Sequence, residues 1–207
     1  MFRYRYPQAR KRRHDYLGDL RGGPGGGVAV DPVVLTVSEG NDNQPGGPGG
    51  DNNIVVPLKV FDTPEVIDIV FSVVDSSPSG TTEYRIVQSV DNDTGLPWDG
   101  YTLVLGFGSG GAFTPSPADD GLDFDFPELD PTEPESSAFS SVLAGQDTLV
   151  FSFGFQRSGA ASYDFRIDVP DGINSFTLRQ FPSAIPEPSS VLLALLPFAG
   201  AIAKRRR

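Results

Sequence analysis

No window ahead of Val191 keeps apolar residues at the i, i+3, i+4, i+7 spacing of an amphipathic helix. From Asp31 onward, short runs rich in Val, Ile, Phe, Tyr and Thr alternate instead with clusters of Gly, Pro, Asn, Asp and Ser. Such a texture commits the chain to β structure, because β-branched and aromatic side chains suit a pleated, half-buried surface. The cluster from Asp75 to Gly80 and the stretches "DNDTGLPWDG", "RSGAA" and "PDG" end strands for mechanical reasons. Gly, Asn and Asp tolerate positive φ, whereas Pro fixes φ and withholds a ladder donor. About eight candidate strands result: "PVVLTV", "NIVVPLKVF", "VIDIVFSVV", "TTEYRIVQSV", "GYTLVLGF", "DTLVFSFGFQ", "SYDFRIDV" and "NSFTLRQF". Their number and spacing predict an all-β fold, an antiparallel β-sandwich.

Period-two patterning supplies the faces. In "SYDFRIDV", Tyr163, Phe165, Ile167 and Val169 share one face and Asp164, Arg166 and Asp168 the other. Tyr84 and Ile86 continue such a face in "TTEYRIVQSV", and Phe151, Phe153 and Phe155 line up in the same way. One face of each strand is therefore expected to meet a second sheet, each square ångström of apolar area removed from water contributing about 25 cal/mol.

Charge is segregated. Residues 1–21 hold seven Lys/Arg and residues 204–207 four, while residues 22–203 hold 25 Asp/Glu against five Lys/Arg, a net −20. A body with that field repels nucleic acid and anionic surfaces, so nucleic acid is not an expected partner. The absence of cysteine removes disulfides, thiolate metal sites and cysteine nucleophiles together. Residues 1–30, basic and then Gly-rich ("RGGPGGG"), show no apolar periodicity and are expected to be disordered. They also show no apolar run of signal-peptide length after the basic start.

Four motifs invite chemistry. Eight acids and three prolines fall between Asp119 and Glu135, which reads as a long surface loop. Asp119, Asp120, Asp123, Asp125, Glu128 and Asp130 carry enough hard oxygens for Ca²⁺, without the spacing of an EF-hand. Asp93-Thr94-Gly95 has the tripeptide of aspartic proteases, yet polar residues precede it and no second copy exists to share the proton, so a turn before Trp98 is expected. "GFGSGG" (Gly106–Gly111) matches a dinucleotide-loop spacing but is followed by "AFTPSP", which opens no helix; it reads as a strand end. Trp98 and Tyr101 are expected to anchor the core, the alternative being an exposed pair that stacks on sugars. His14 stands alone in the basic start, and no catalytic constellation emerges.

The end of the chain has three parts. Pro186, Glu187, Pro188 and Ser189 make a stiff extended peptide, since each Pro pushes the preceding residue away from helix. Ser189–Ala203 is uncharged and mostly apolar, with Val191, Leu192, Leu193, Leu195, Leu196, Phe198 and Ile202 as its membrane-facing residues. As a helix, its 15 residues reach about 23 Å against a hydrocarbon core of about 30 Å. Snorkelling by the flanking Lys204, Arg205, Arg206 and Arg207 and local thinning of the bilayer make up the difference. Those four cations set topology, staying on the cytoplasmic side.

This ending resembles the PEP-CTERM sorting signal of Gram-negative bacteria that make exopolysaccharide. The resemblance rests on Pro186-Glu187-Pro188-Ser189, the apolar run and Lys204–Arg207. It implies a substrate of exosortase, a membrane-embedded cysteine transpeptidase that cuts near the Pro-Glu-Pro motif. It further implies a non-enzymatic protein held in the inner membrane as precursor and then placed in the envelope or extracellular matrix, with exopolysaccharide as its setting. The expected organisation is a disordered segment (1–30), a β-sandwich (31–182) and a sorting signal (183–207) that includes a single hydrophobic helix. The alternative is a carbohydrate-binding or calcium-dependent adhesion module.

Overall fold

The structure, a computed structural model, describes residues 20–21, 33–36, 54–55, 57–74, 80–127, 129 and 132–185. Among them the turn-punctuated runs become strands: β1 (Leu20–Arg21), β2 (Val33–Thr36), β3 (Ile54–Val55), β4 (Leu58–Phe61), β5 (Ile67–Val74), β6 (Thr81–Asn92) and β7 (Trp98–Phe107). There follow β8 (Thr114–Pro115), β9 (Glu135–Ser136), β10 (Phe139–Ala144), β11 (Thr148–Gly154), β12 (Gly159–Pro170) and β13 (Ser175–Ala184). The one helical turn among the described residues is a 3₁₀ segment at Gly110–Ala112.

Two sheets result, as the all-β reading expects. One runs β1-β4-β6-β12-β9, with β3 also on β6; the other runs β10-β11-β7-β13-β5-β2, with β8 also on β7. The chain crosses between sheets at nearly every long connection, so β5, β7, β11 and β13 lie in one layer and β6 and β12 in the other. The central pairs are antiparallel. β6 and β12 pair without a break from Thr81↔Pro170 to Asn92↔Gly159, the longest ladder among the described residues.

The outer strands depart from the antiparallel expectation. β3 and β4 pair with β6 in parallel, as do β2 with β5 and β1 with β4. "NIVVPLKVF", expected as one strand, is split by Pro57, which has no N–H to donate; its carbonyl still accepts from Ser89 N at 3.1 Å. β1 draws Leu20–Arg21, from the segment expected to be disordered, into pairing with Lys59 and Val60.

Between the layers sits one apolar core. From β12 it takes Tyr163, Phe165, Ile167 and Val169, and from β6 Tyr84, Ile86 and Val90, facing Ile69, Phe71, Leu103, Leu105, Phe151, Phe176 and Leu178 of the other sheet. Aromatic contacts join the layers: Tyr163 lies 4.7 Å from Tyr101 and 5.1 Å from Phe151, centroid to centroid. Trp98 and Tyr101, three residues apart, both point inward because the β7–β13 register slips at Ser183/Ala184. They stack at 6.1 Å with planes 10° apart and are wholly buried, so this pair anchors the core and offers no face to a sugar.

Two expectations fail in instructive ways. Phe151 is buried, but Phe153 and Phe155 are 80% and 60% exposed, and Phe153 has φ of 56°. The alternation breaks at this left-handed residue, just past Phe151, the last β11 residue paired with β7. The acidic segment is irregular as expected, yet it is more than a solvated loop. Leu122 and Phe124 insert from it into the core, Phe124 meeting Phe165 edge-on at 5.7 Å, and Asp123 exchanges backbone hydrogen bonds with Asp168.

Candidate functional site

The outer face of the β6–β12 pair is where charge concentrates. Register sets Glu83 directly across from Asp168, a like-charge pairing that disfavours the sheet unless something neutralises it. Arg166 does part of this: its Nε lies 3.3 Å from Glu83 Oε1, with both side chains at least nine-tenths buried. The same guanidinium donates through Nη1 to Thr132 Oγ1 (2.8 Å) and Thr132 O (3.2 Å), fastening the end of the acidic segment over the sheet. Farther along the same ladder, Arg85 grips Asp164 with Nε and Nη2 at 3.0 and 2.6 Å.

Asp125, carried in by the acidic segment, completes a cluster. One carboxylate oxygen each of Glu83, Asp125 and Asp168 lies within 4.8 Å of the others, and Glu83 and Asp125 are buried. The three carboxylates gather beside the guanidinium of Arg166, and hard oxygen donors suit Ca²⁺ better than a softer ion. Three side chains fall short of the six to eight oxygens calcium prefers, so carbonyls or water would have to supply the rest.

The six acids singled out from sequence separate. Asp125 joins the cluster. Asp120 is a turn residue, accepting from Ser116 Oγ (2.6 Å) and Leu122 N (3.0 Å), and Asp123 accepts from Phe126 N (3.2 Å). Asp119 is exposed. Glu128 and Asp130 lie outside the described residues. Glu83 and Asp168 are hidden from sequence reading because they sit inside regular strands, 85 residues apart, and only the β6–β12 register brings them together.

The other motifs resolve into structure. Asp93-Thr94-Gly95 is a turn: Asn92 Oδ1 accepts from Thr94 N and Oγ1, Gly95 has φ of 75°, and Trp98 Nε1 donates to Thr94 Oγ1 at 3.3 Å. Gly106 is the last residue but one of β7, where a Cβ would meet Thr114 O at 2.2 Å, and Gly108 turns with φ of 74°. That turn is clamped by Asp68, whose carboxylate accepts from Arg179 Nε and Nη2 (2.7 and 2.8 Å) and from Gly110 N (2.7 Å). A cleft of about 320 Å³ opens at the sandwich edge between β9 and β10, bordered by Leu129, Glu133, Glu135, Phe139 and Val142.

The sorting motif Pro186 to Ser189, the apolar residues Val191 to Ile202 and the cations Lys204 to Arg207 lie outside the described residues. No helix among the described residues is long and apolar enough to cross a membrane. Compared with protein-family models, curated proteins and solved structures, the chain finds no match in any of the three.

Proposed function

We propose that this is a non-enzymatic exported protein of the cell envelope or extracellular matrix, held transiently in the inner membrane by its C-terminal apolar segment. An exosortase-type transpeptidase would process it at Pro186-Glu187-Pro188, in the setting of exopolysaccharide. The observation that carries this reading is the order of parts at the end of the chain: stiff Pro-Glu-Pro peptide, 15 uncharged residues, four cations. β13 ends at Ala184, and Ile185 N donates to Pro97 O at 2.9 Å. A peptidase working at a membrane surface needs an extended substrate peptide adjoining the anchor.

The test is a triple variant, Pro186→Ala, Glu187→Ala and Pro188→Ala, expressed in a host that carries an exosortase. Full-length protein is expected to accumulate in the inner membrane. Processing at the wild-type rate would count against the motif.

A second reading, a calcium-dependent adhesion module, is favoured by the meeting of Glu83, Asp125 and Asp168. Calcium that binds the folded state alone raises stability by about 2.7 kcal/mol at a hundredfold excess over Kd. Calorimetric titration of the wild type and of Asp125→Asn decides this reading. Heat of binding lost in the variant supports it, and a flat wild-type trace removes it.

A further inference from the structure

Lys59 is a core residue. It lies on β4 between Leu58 and Val60, is 1% exposed, and extends between the two sheets. Its Nζ donates to Oε1 of Gln88, from β6 in its own sheet, and to Oε1 of Gln180, from β13 in the other. Among the described residues no carboxylate pairs with it. The two glutamines are themselves buried, and their Nε2 groups have no hydrogen-bond partner among the described residues. The cluster therefore holds a surplus of buried donors, each costly to leave unmade. Tyr101 Oη donates to the same Gln180 Oε1 at 2.7 Å.

These groups match an amide-forming reaction. Burial holds the Lys59 amine well below the ordinary lysine value, which favours the neutral, nucleophilic form. Burial pushes the Tyr101 phenol up, so it keeps its proton and remains a donor to the carbonyl oxygen. A hydrogen-bond donor fixed on that oxygen, in a site shut off from water, stabilises the oxyanion that forms on attack.

We propose that Lys59 and Gln180 condense to an intramolecular isopeptide bond that staples the two sheets together. The Nζ lone pair forms a bond to Cδ of Gln180, and the carbonyl electron pair moves to Oε1, where the Tyr101 hydroxyl holds it. One Nζ proton passes by way of that hydroxyl to Nε2; the Cδ–Nε2 bond then breaks, the carbonyl re-forms and ammonia leaves. One C–N bond is exchanged for another, with no oxidant, metal or cofactor required. The product removes the buried amine and one of the two unpaired carboxamide NH₂ groups. Gln88 positions the amine through its Oε1 and is not consumed. The staple closes a loop between residues 121 positions apart, constraining the unfolded chain as a disulfide would in a protein that has no cysteine.

The experiment is intact mass spectrometry of the folded full chain, denatured just before measurement, followed by proteolysis and fragment sequencing. The expected result is a protein lighter than its sequence by one ammonia and a branched fragment joining Lys59 to Gln180. In Lys59→Met the sequence mass should return. The full sequence mass in the wild type, with Lys59 and Gln180 recovered in separate linear fragments, would overturn the proposal. Ammonia loss that persists in Lys59→Met would overturn it equally, and a branch at Gln88 would overturn the choice of acceptor.

Discussion

β11 and β12 carry the same signature in sequence and meet different fates. In β12 every second residue from Tyr163 to Val169 is buried; in β11 Phe151 is buried while Phe153, two residues on, is 80% exposed. β12 is flanked by β6 over its whole length and capped on its inner side by the other sheet, and Phe124 packs on its Phe165. β11 instead pairs with β7 only from Thr148 to Phe151, and beyond that its neighbour is the edge strand β10. Alternation therefore predicts burial only while the strand stays extended and paired; Phe153, with φ of 56° and no β7 partner, departs from it.

This contrast can be broken from either side. The largest effect is expected for Phe165→Asp, which places a charge at the centre of the β12 inner face opposite Phe124. It should abolish cooperative folding, seen as loss of the near-ultraviolet circular dichroism of the buried aromatics. Phe151→Ala, the buried member of the β11 series, should cost about 3–5 kcal/mol in denaturant unfolding through lost burial and a cavity against Tyr163.

The outer face of β12 comes next. Arg166→Met leaves Glu83 without its buried guanidinium and releases Thr132; breaking a buried pair this way costs about 3–5 kcal/mol, reduced by whatever water reaches Asp168. Phe153→Gly should behave in the opposite sense. An exposed Phe at positive φ gains nothing from packing and bears a left-handed backbone that Gly adopts freely, so stability should stay level or rise by about 1 kcal/mol.

Alkali sharpens the same comparison through Tyr163, the β12 residue that touches Phe151. Burial raises its phenol above the ordinary value, partly offset by a hydrogen bond with Ser136, and burial also raises that of Tyr101. Folded pKa values above unfolded ones mean that the folded state holds more protons once pH passes about 10. Stability should therefore be insensitive to these groups below that point and fall above it, by about 1.4 kcal/mol per pH unit for each phenol. Tyr163→Phe should roughly halve the slope of unfolding free energy against pH in that range.

Much of the body is legible in sequence because it is built from local rules. Turn chemistry places β5, β6, β7, β12 and β13 to within a few residues, although Asp91–Asn92, Trp98–Gly100 and Gly159–Ala161, read as turn, extend the strands, and the alternation of β12 marks its inner face. What escapes is decided at a distance. β10 reads "FSSVLA", too poor in large apolar residues to announce a strand, and exists because β11 offers it a ladder. Lys59 stands between two aliphatic residues that a hydropathy reading would bury in its place; the parallel register of β4 on β6 turns Lys59 and Phe61 inward and leaves Leu58 39% exposed. The carboxylate cluster is half visible: Asp125 stands out in an acidic run, whereas Glu83 and Asp168 look like ordinary outward residues until the ladder sets them face to face.

The functional reading stands on the C-terminal end, and the mature C-terminus of protein recovered from the envelope or extracellular fraction tests it most directly. Mass spectrometry is expected to find a chain cut close to Pro186-Glu187-Pro188 and lacking the apolar run and Lys204–Arg207. Recovery of the envelope-located protein with Arg207 still attached would contradict the account.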